Sequence, residues 1–122
     1  MKILTQRDNR FYELAMMLAE TSECHYRMSA VITNGARVLS LGVNQIKTHP
    51  KQAIYREHVV SIHAELAAIL HARTDLTGAT IYIARWKNLI SKPCLTCREI
   101  IREAGITTAV YHNGSAIEKV RI

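Results

Sequence analysis

Apolar residues recur at helical spacing across residues 8–20, where Phe11, Tyr12, Leu14, Ala15, Met16, Leu18 and Ala19 build one face. Asp8 stands at its start as an N-cap or first-turn acid. The period then changes. Residues 28–33, Met-Ser-Ala-Val-Ile-Thr, form a short apolar run that meets Asn34-Gly35, a strong hairpin signal, and residues 38–43 supply the returning strand. Residues 44–60 keep no clean period and contain Pro50, which predicts a long loop. Residues 61–73 are apolar nearly all round, as in a helix buried against a sheet. Strands are predicted over 80–84 and 107–112, with a helix over 94–104 between them, closed by Gly105. A last strand is predicted over 117–122.

The order α-β-β-α-β-α-β-β predicts an α/β fold, a mixed sheet of about five strands flanked by helices. About four residues, 113–116, separate the last two strands. A parallel pair needs a crossover of roughly a dozen residues, so the last strand must run antiparallel to its predecessor.

Length and composition narrow the class. The chain of 122 residues fits one domain over 1–122. A hydrophobic fraction of 48% is too high for a disordered chain. No apolar run is long enough to span a membrane, and the N-terminus turns polar at once, so a cytoplasmic protein with no membrane partner is expected. Three cysteines without a secretion signal argue against a disulfide framework. The net charge of +6 suits a phosphate-bearing partner, nucleotide or nucleic acid, and suits a merely basic surface equally well.

Two segments carry candidate chemistry: His63-Ala64-Glu65 and Pro93-Cys94-Leu95-Thr96-Cys97. Each opens a predicted helix. Two thiolates and an imidazole suit a tetrahedral zinc, and three protein ligands leave a fourth position open, as in catalytic sites. Cysteines three apart at a helix start can reach one ion, and their thiolates gain from the N–H groups there. On a regular helix Glu65 would point about 200° away from His63, but in a first turn both can border one cavity. Glu65 can then move a proton between activated water and a leaving group. The small side chain of Ala64 lets a flat ring approach the backbone. The paired pattern H-x-E…P-C-x-x-C is the signature of zinc deaminases.

With these motifs the chain resembles the cytidine deaminase superfamily, and most closely the deoxycytidylate (dCMP) deaminases. Ser22-Glu23-Cys24 with Ala30-Val31-Ile32, the stretch from Arg37 to Asn44 ending in Gly-x-Asn, Ala68-Ile69-Leu70, Gly78 to Ile83, and Ile100-Ile101 with Gly105-Ile106 extend the likeness from about Ser22 to Tyr111. The resemblance implies a three-layer α-β-α fold, zinc held by His63, Cys94 and Cys97, and Glu65 as proton shuttle. It implies water attack on C4 of a cytosine ring with loss of ammonia. Asn44 would contact the sugar, and the Ala64 backbone and a carbonyl just before Pro93 would read the base edge. It also implies a homo-oligomer. Residues 45–62 hold His49 and His58 but no cysteine, which argues against a second, structural zinc. Ser29 and Gln45 stand where glycine is usual in relatives. An antiparallel last strand resembles the free-nucleoside branch more than the nucleotide branch.

The basic loop around Lys47, with Arg56, suits a substrate monophosphate, and Trp86 suits stacking on a base. The resulting expectation is deamination of a cytosine nucleotide. A free nucleoside, or a base within RNA or single-stranded DNA, is the second choice, and a non-catalytic zinc-stabilised binding module is the third.

Overall fold

A computed structural model describes residues 3–46 and 62–122. Helix α1 (Gln6–Ala19) is capped by Thr5, whose hydroxyl accepts from the Asp8 N–H at 3.1 Å while the Asp8 carboxylate accepts from the Thr5 N–H at 2.9 Å. This reciprocal capping box makes Asp8 the first-turn acid and Thr5 the cap. Strands β1 (Met28–Asn34) and β2 (Arg37–Val43) form a hairpin. Its two-residue turn is Gly35-Ala36, one position later than Asn34-Gly35. Asn34 pairs with Arg37, and Gly35 takes the left-handed φ of +61° that the turn requires.

Helix α2 (Ala64–His71) is shorter than the predicted 61–73. Ile62 and Gln45 exchange backbone hydrogen bonds of 2.7 and 2.9 Å, so the chain is still extended there, and His63 keeps ψ near 151° as the N-cap. Strand β3 (Thr80–Arg85), helix α3 (Leu95–Glu103), strand β4 (Thr108–His112) and strand β5 (Ile117–Arg121) follow. Gly105, at φ +89°, ends α3 as predicted.

The five strands lie in the order β2-β1-β3-β4-β5. Only β3 and β4 run parallel, across the α3 crossover, and β5 is antiparallel to β4. The sheet is mixed, as expected. Alternation along the strands splits the core into two faces. Val31, Tyr82, Ala84 and Val110 meet Tyr12 and Ala15 of α1. Ala30, Ile32, Ile81, Ile83, Ala109 and Tyr111 meet Ala64 and Ala68 of α2 and Ile101 of α3. The helices thus make the outer layers of an α-β-α sandwich. Leu66 and Ala67 of α2 pack on Ile100 of α3, so both helix starts sit side by side at one end of the sheet.

Ser29, buried on β1, uses its hydroxyl to donate to the Ala15 carbonyl and so ties α1 to the sheet. Among the described residues no helix is long and apolar enough to cross a membrane.

Candidate metal centre

The two helix starts bring His63, Cys94 and Cys97 together. Cys94 is the N-cap of α3, and its sulfur accepts from the Cys97 N–H at 3.5 Å, the role a Ser or Asp oxygen plays at other helix starts. His63 Nδ1 lies 3.1 Å from Cys97 Sγ and 3.8 Å from Cys94 Sγ, and the three ligand atoms fall within 4.8 Å of one another.

These separations fit zinc. Bonds of about 2.3 Å to sulfur and 2.0 Å to nitrogen at tetrahedral angles set ligand atoms roughly 3.5 Å apart. The protonation of the pair points the same way. The Cys97 thiol, donating to Cys94, holds the Cys94 thiol down to about 3 against the upward push of burial, with help from His63 and the Cys97 N–H. Cys97 is pushed far up by that shared proton, by burial and by the Glu65 charge. Two adjacent sulfurs, one buried, keep a proton between them unless a cation takes its place.

Glu65 is 3% exposed. Burial pushes its carboxyl up, with the Cys94 charge adding to it, and its own backbone N–H and the His63 charge pull the other way. The opposed directions of His63 and Glu65 on a regular helix do not arise, because His63 precedes the first helical residue and keeps extended angles. Both side chains border one cavity of about 250 Å³. Ala64 and Asn44 line it too, as do Lys92, the residue just before Pro93, and Tyr26 and Met28, which the sequence pattern did not single out.

Asn44 is held in place. Its Oδ1 accepts from the Ser22 hydroxyl and from the Met28 N–H at 3.0 Å, and its Nδ2 donates to the Tyr26 carbonyl at 2.6 Å. The amide therefore fixes the segment that carries Tyr26 into the cavity wall. One further N–H of the amide remains in its inventory of donors. Ser91 does similar work for the cysteines. Buried at 1%, it donates to the Ile83 carbonyl at 2.7 Å and accepts from the His112 N–H at 2.9 Å. That clamp fixes the chain two residues before Pro93.

Trp86 is placed elsewhere. It follows the last residue of β3 and lines a neighbouring cavity with His25, Arg27 and Lys87, so it does not border the space beside His63. Nearness to Pro93 in sequence suggested otherwise, but the strand pairing sets its position: its N–H donates to the Arg27 carbonyl at 2.8 Å. Lys47 and Arg56 lie outside the described residues, as do His49 and His58.

Comparison with known proteins agrees with this geometry. Residues 5–113 match the model of the cytidine and deoxycytidylate deaminase zinc-binding region. A deoxycytidylate deaminase of Mycobacterium phage D29 is 29% identical over 124 residues, 85% of this chain and 92% of that protein. The deoxycytidylate deaminase of Saccharomyces cerevisiae is 30% identical over 120 residues, which are 85% of this chain and 36% of the yeast protein. In fold, the chain is similar to the dCMP deaminase of cyanophage S-TIM5, solved with dCMP and dUMP (TM-score 0.66, 16% identity, 88% of this chain and 82% of that one). It is also similar to the cytidine deaminase of Burkholderia pseudomallei (TM-score 0.67, 15% identity, 93% and 91%). Fold and site together define a deaminase with a His/Cys/Cys group able to hold zinc. The chain belongs to the cytidine and deoxycytidylate deaminase family.

Proposed function

We propose that this deaminase converts a cytosine nucleotide, dCMP-like, to the uracil nucleotide with release of ammonia. The observation that carries the reading is the buried Glu65 carboxyl sharing one cavity with the His63 and Cys94 side chains, whose ligand atoms cluster with the Cys97 sulfur. In this reading His63, through Nδ1, and both sulfurs would hold the ion. Zinc bound there supplies the Lewis acidity that makes water a nucleophile near neutral pH.

Glu65 takes a proton from that water and delivers one to the amino group leaving C4. A buried carboxyl with raised proton affinity suits a carrier that must accept and release within one turnover. The balance is one water consumed, a C–N bond broken, a C=O formed and ammonia lost. At the first turn of α2 the Ala64 side chain keeps the backbone approachable, and helix-start N–H groups have no intrahelical partner. Those groups and the Lys92 carbonyl are proposed to read the base edge, with the second N–H of Asn44 on the sugar. Lys47 and Arg56 are proposed phosphate contacts. Leu95, 81% exposed, and Met17, 69% exposed, give apolar surface for a homo-oligomer, which light scattering measures.

A second reading, deamination of the free nucleoside, is favoured by the antiparallel β5. Zinc-loaded protein is to be tested for ammonia release with dCMP, deoxycytidine, cytidine, adenosine, and single-stranded DNA and RNA. Highest kcat/KM on dCMP is the expected result. Exclusive turnover of nucleosides installs the second reading, and turnover of none removes both.

A further inference from the structure

A second cavity, of about 360 Å³, adjoins the zinc-side one, and Tyr26 belongs to the walls of both. Two guanidiniums, Arg27 and Arg85, line it together with the Lys87 ammonium and the His25 imidazole. None of its lining residues carries a carboxylate. The Arg85 guanidinium lies 4.5 Å over the Tyr26 ring, a stacked placement that holds the group while leaving its edge N–H donors for another partner.

The loop at the cavity lip is strained. Asn88 N donates to the Arg85 carbonyl at 3.0 Å and closes a tight turn whose third residue, Lys87, has φ +71°. Turns with that sign of φ normally place glycine there. Asn88, at φ +56°, is a residue type that tolerates the region; lysine is not. A side chain kept at a position that prefers none needs a reason, and such outliers gather where a ligand is bound.

We propose that this cavity is a phosphate-ester site, continuous with the zinc-side cavity across Tyr26, in which Lys87, Arg85 and Arg27 receive the phosphate of the ligand whose base lies beside His63. The assignment rests on the deaminase reading for the base, and adds a basic surface to the Lys47 and Arg56 contacts proposed above. The shared chemistry is a phosphate ester, carried either by a mononucleotide or by the backbone of a single strand.

Trp86 is the only tryptophan of the chain and lines this cavity, so its fluorescence reports binding without any turnover. Wild type, K87Q and K87G are to be titrated with deoxycytidine, dCMP, inorganic phosphate and a short oligodeoxycytidylate. Phosphate-bearing ligands are expected to change the emission, with affinities about tenfold weaker in both variants. The ratio of kcat/KM for dCMP over deoxycytidine is expected to fall by a similar factor. K87G is expected to melt a few degrees higher than wild type, since glycine relieves the turn, whereas K87Q keeps the strain. Loss confined to dCMP names a mononucleotide as the source of the phosphate; loss confined to the oligonucleotide names a strand.

The proposal is overturned if both variants bind every ligand as wild type does, or if a dCMP preference survives K87Q and disappears in a K47Q/R56Q variant. A chain that turns over nothing, yet loses phosphate-dependent fluorescence in K87Q, would sink the deaminase reading and leave the site standing.

Discussion

Gly42 on β2 lies directly against the backbone of α2 at Ala68: a Cβ built on Gly42 would stand 2.4 Å from Ala68 N and 2.9 Å from the Ala64 carbonyl oxygen. Helix and strand can approach this closely only because the side chain is a hydrogen. Beside it, Ser40 donates to the Ala68 carbonyl at 2.6 Å and fixes the same helix.

Gly42→Ala is therefore expected to be destabilising by about 1–3 kcal/mol, since the obstacles are main-chain atoms that cannot rotate away. Moving α2 also moves His63 and Glu65. Thermal unfolding should register the loss, and bound zinc per chain should fall at limiting zinc. A melting temperature equal to wild type would show that the helix yields without penalty.

Glu65→Gln keeps the shape of the buried side chain and removes its proton chemistry. Zinc content should stay near one per chain while kcat falls by about two to four orders of magnitude. Retained turnover in that variant would take the proton shuttle away from this residue.

Zinc loading should release protons. In the metal-free site Cys94 is held down to about 3 and Cys97 is pushed up, so near neutral pH one sulfur is charged and the other is not. Binding must drive the Cys97 proton off, so affinity should rise with pH. Calorimetry in buffers of different ionisation heat should count at least one proton per zinc; a count of zero contradicts the coupled pair. Chelation should abolish activity, and added zinc should restore it.

An ion pair between α1 and β5 contributes to the acid stability. Lys119 on β5 donates to Asp8 Oδ2 at 2.8 Å, and Tyr82 on β3 donates to Oδ1 at 2.6 Å. Burial pushes the Asp8 carboxyl up, but Lys119, the Thr5 N–H and the hydroxyls of Tyr82 and Thr5 outweigh it and hold the group at about 2, below the ordinary 3.8. Because the folded value is the lower one, the ionised form stabilises the fold above about pH 4. That contribution, on the order of 2 kcal/mol, is lost as pH falls from about 4 through about 2. Urea unfolding of wild type and Asp8→Asn should differ at pH 7 and converge toward pH 2. A constant difference across that range would assign the cost of Asp8→Asn to packing alone.

The sequence by itself determined the pieces whose chemistry is local. H-x-E and P-C-x-x-C each lie within five residues at a helix start, where capping and the unpaired N–H groups decide both the turn and the thiolate, so the centre and the order of elements could be read from spacing. The direction of β5 was legible too, because four residues cannot carry a chain back for a parallel pair. Tertiary structure alone decided what depends on contacts between distant residues. Whether α2 starts at 61 or 64 turns on the Gln45–Ile62 bridge. Trp86 stays out of the cavity beside His63 because β1 pairs with β3, and Tyr26 enters its wall because Asn44 grips its carbonyl across 18 residues. Asp8 and Lys119 are 111 residues apart, and no local periodicity encodes their meeting. Local signals come from backbone geometry over a few residues, whereas a cavity wall is assembled from whichever strands the sheet places side by side.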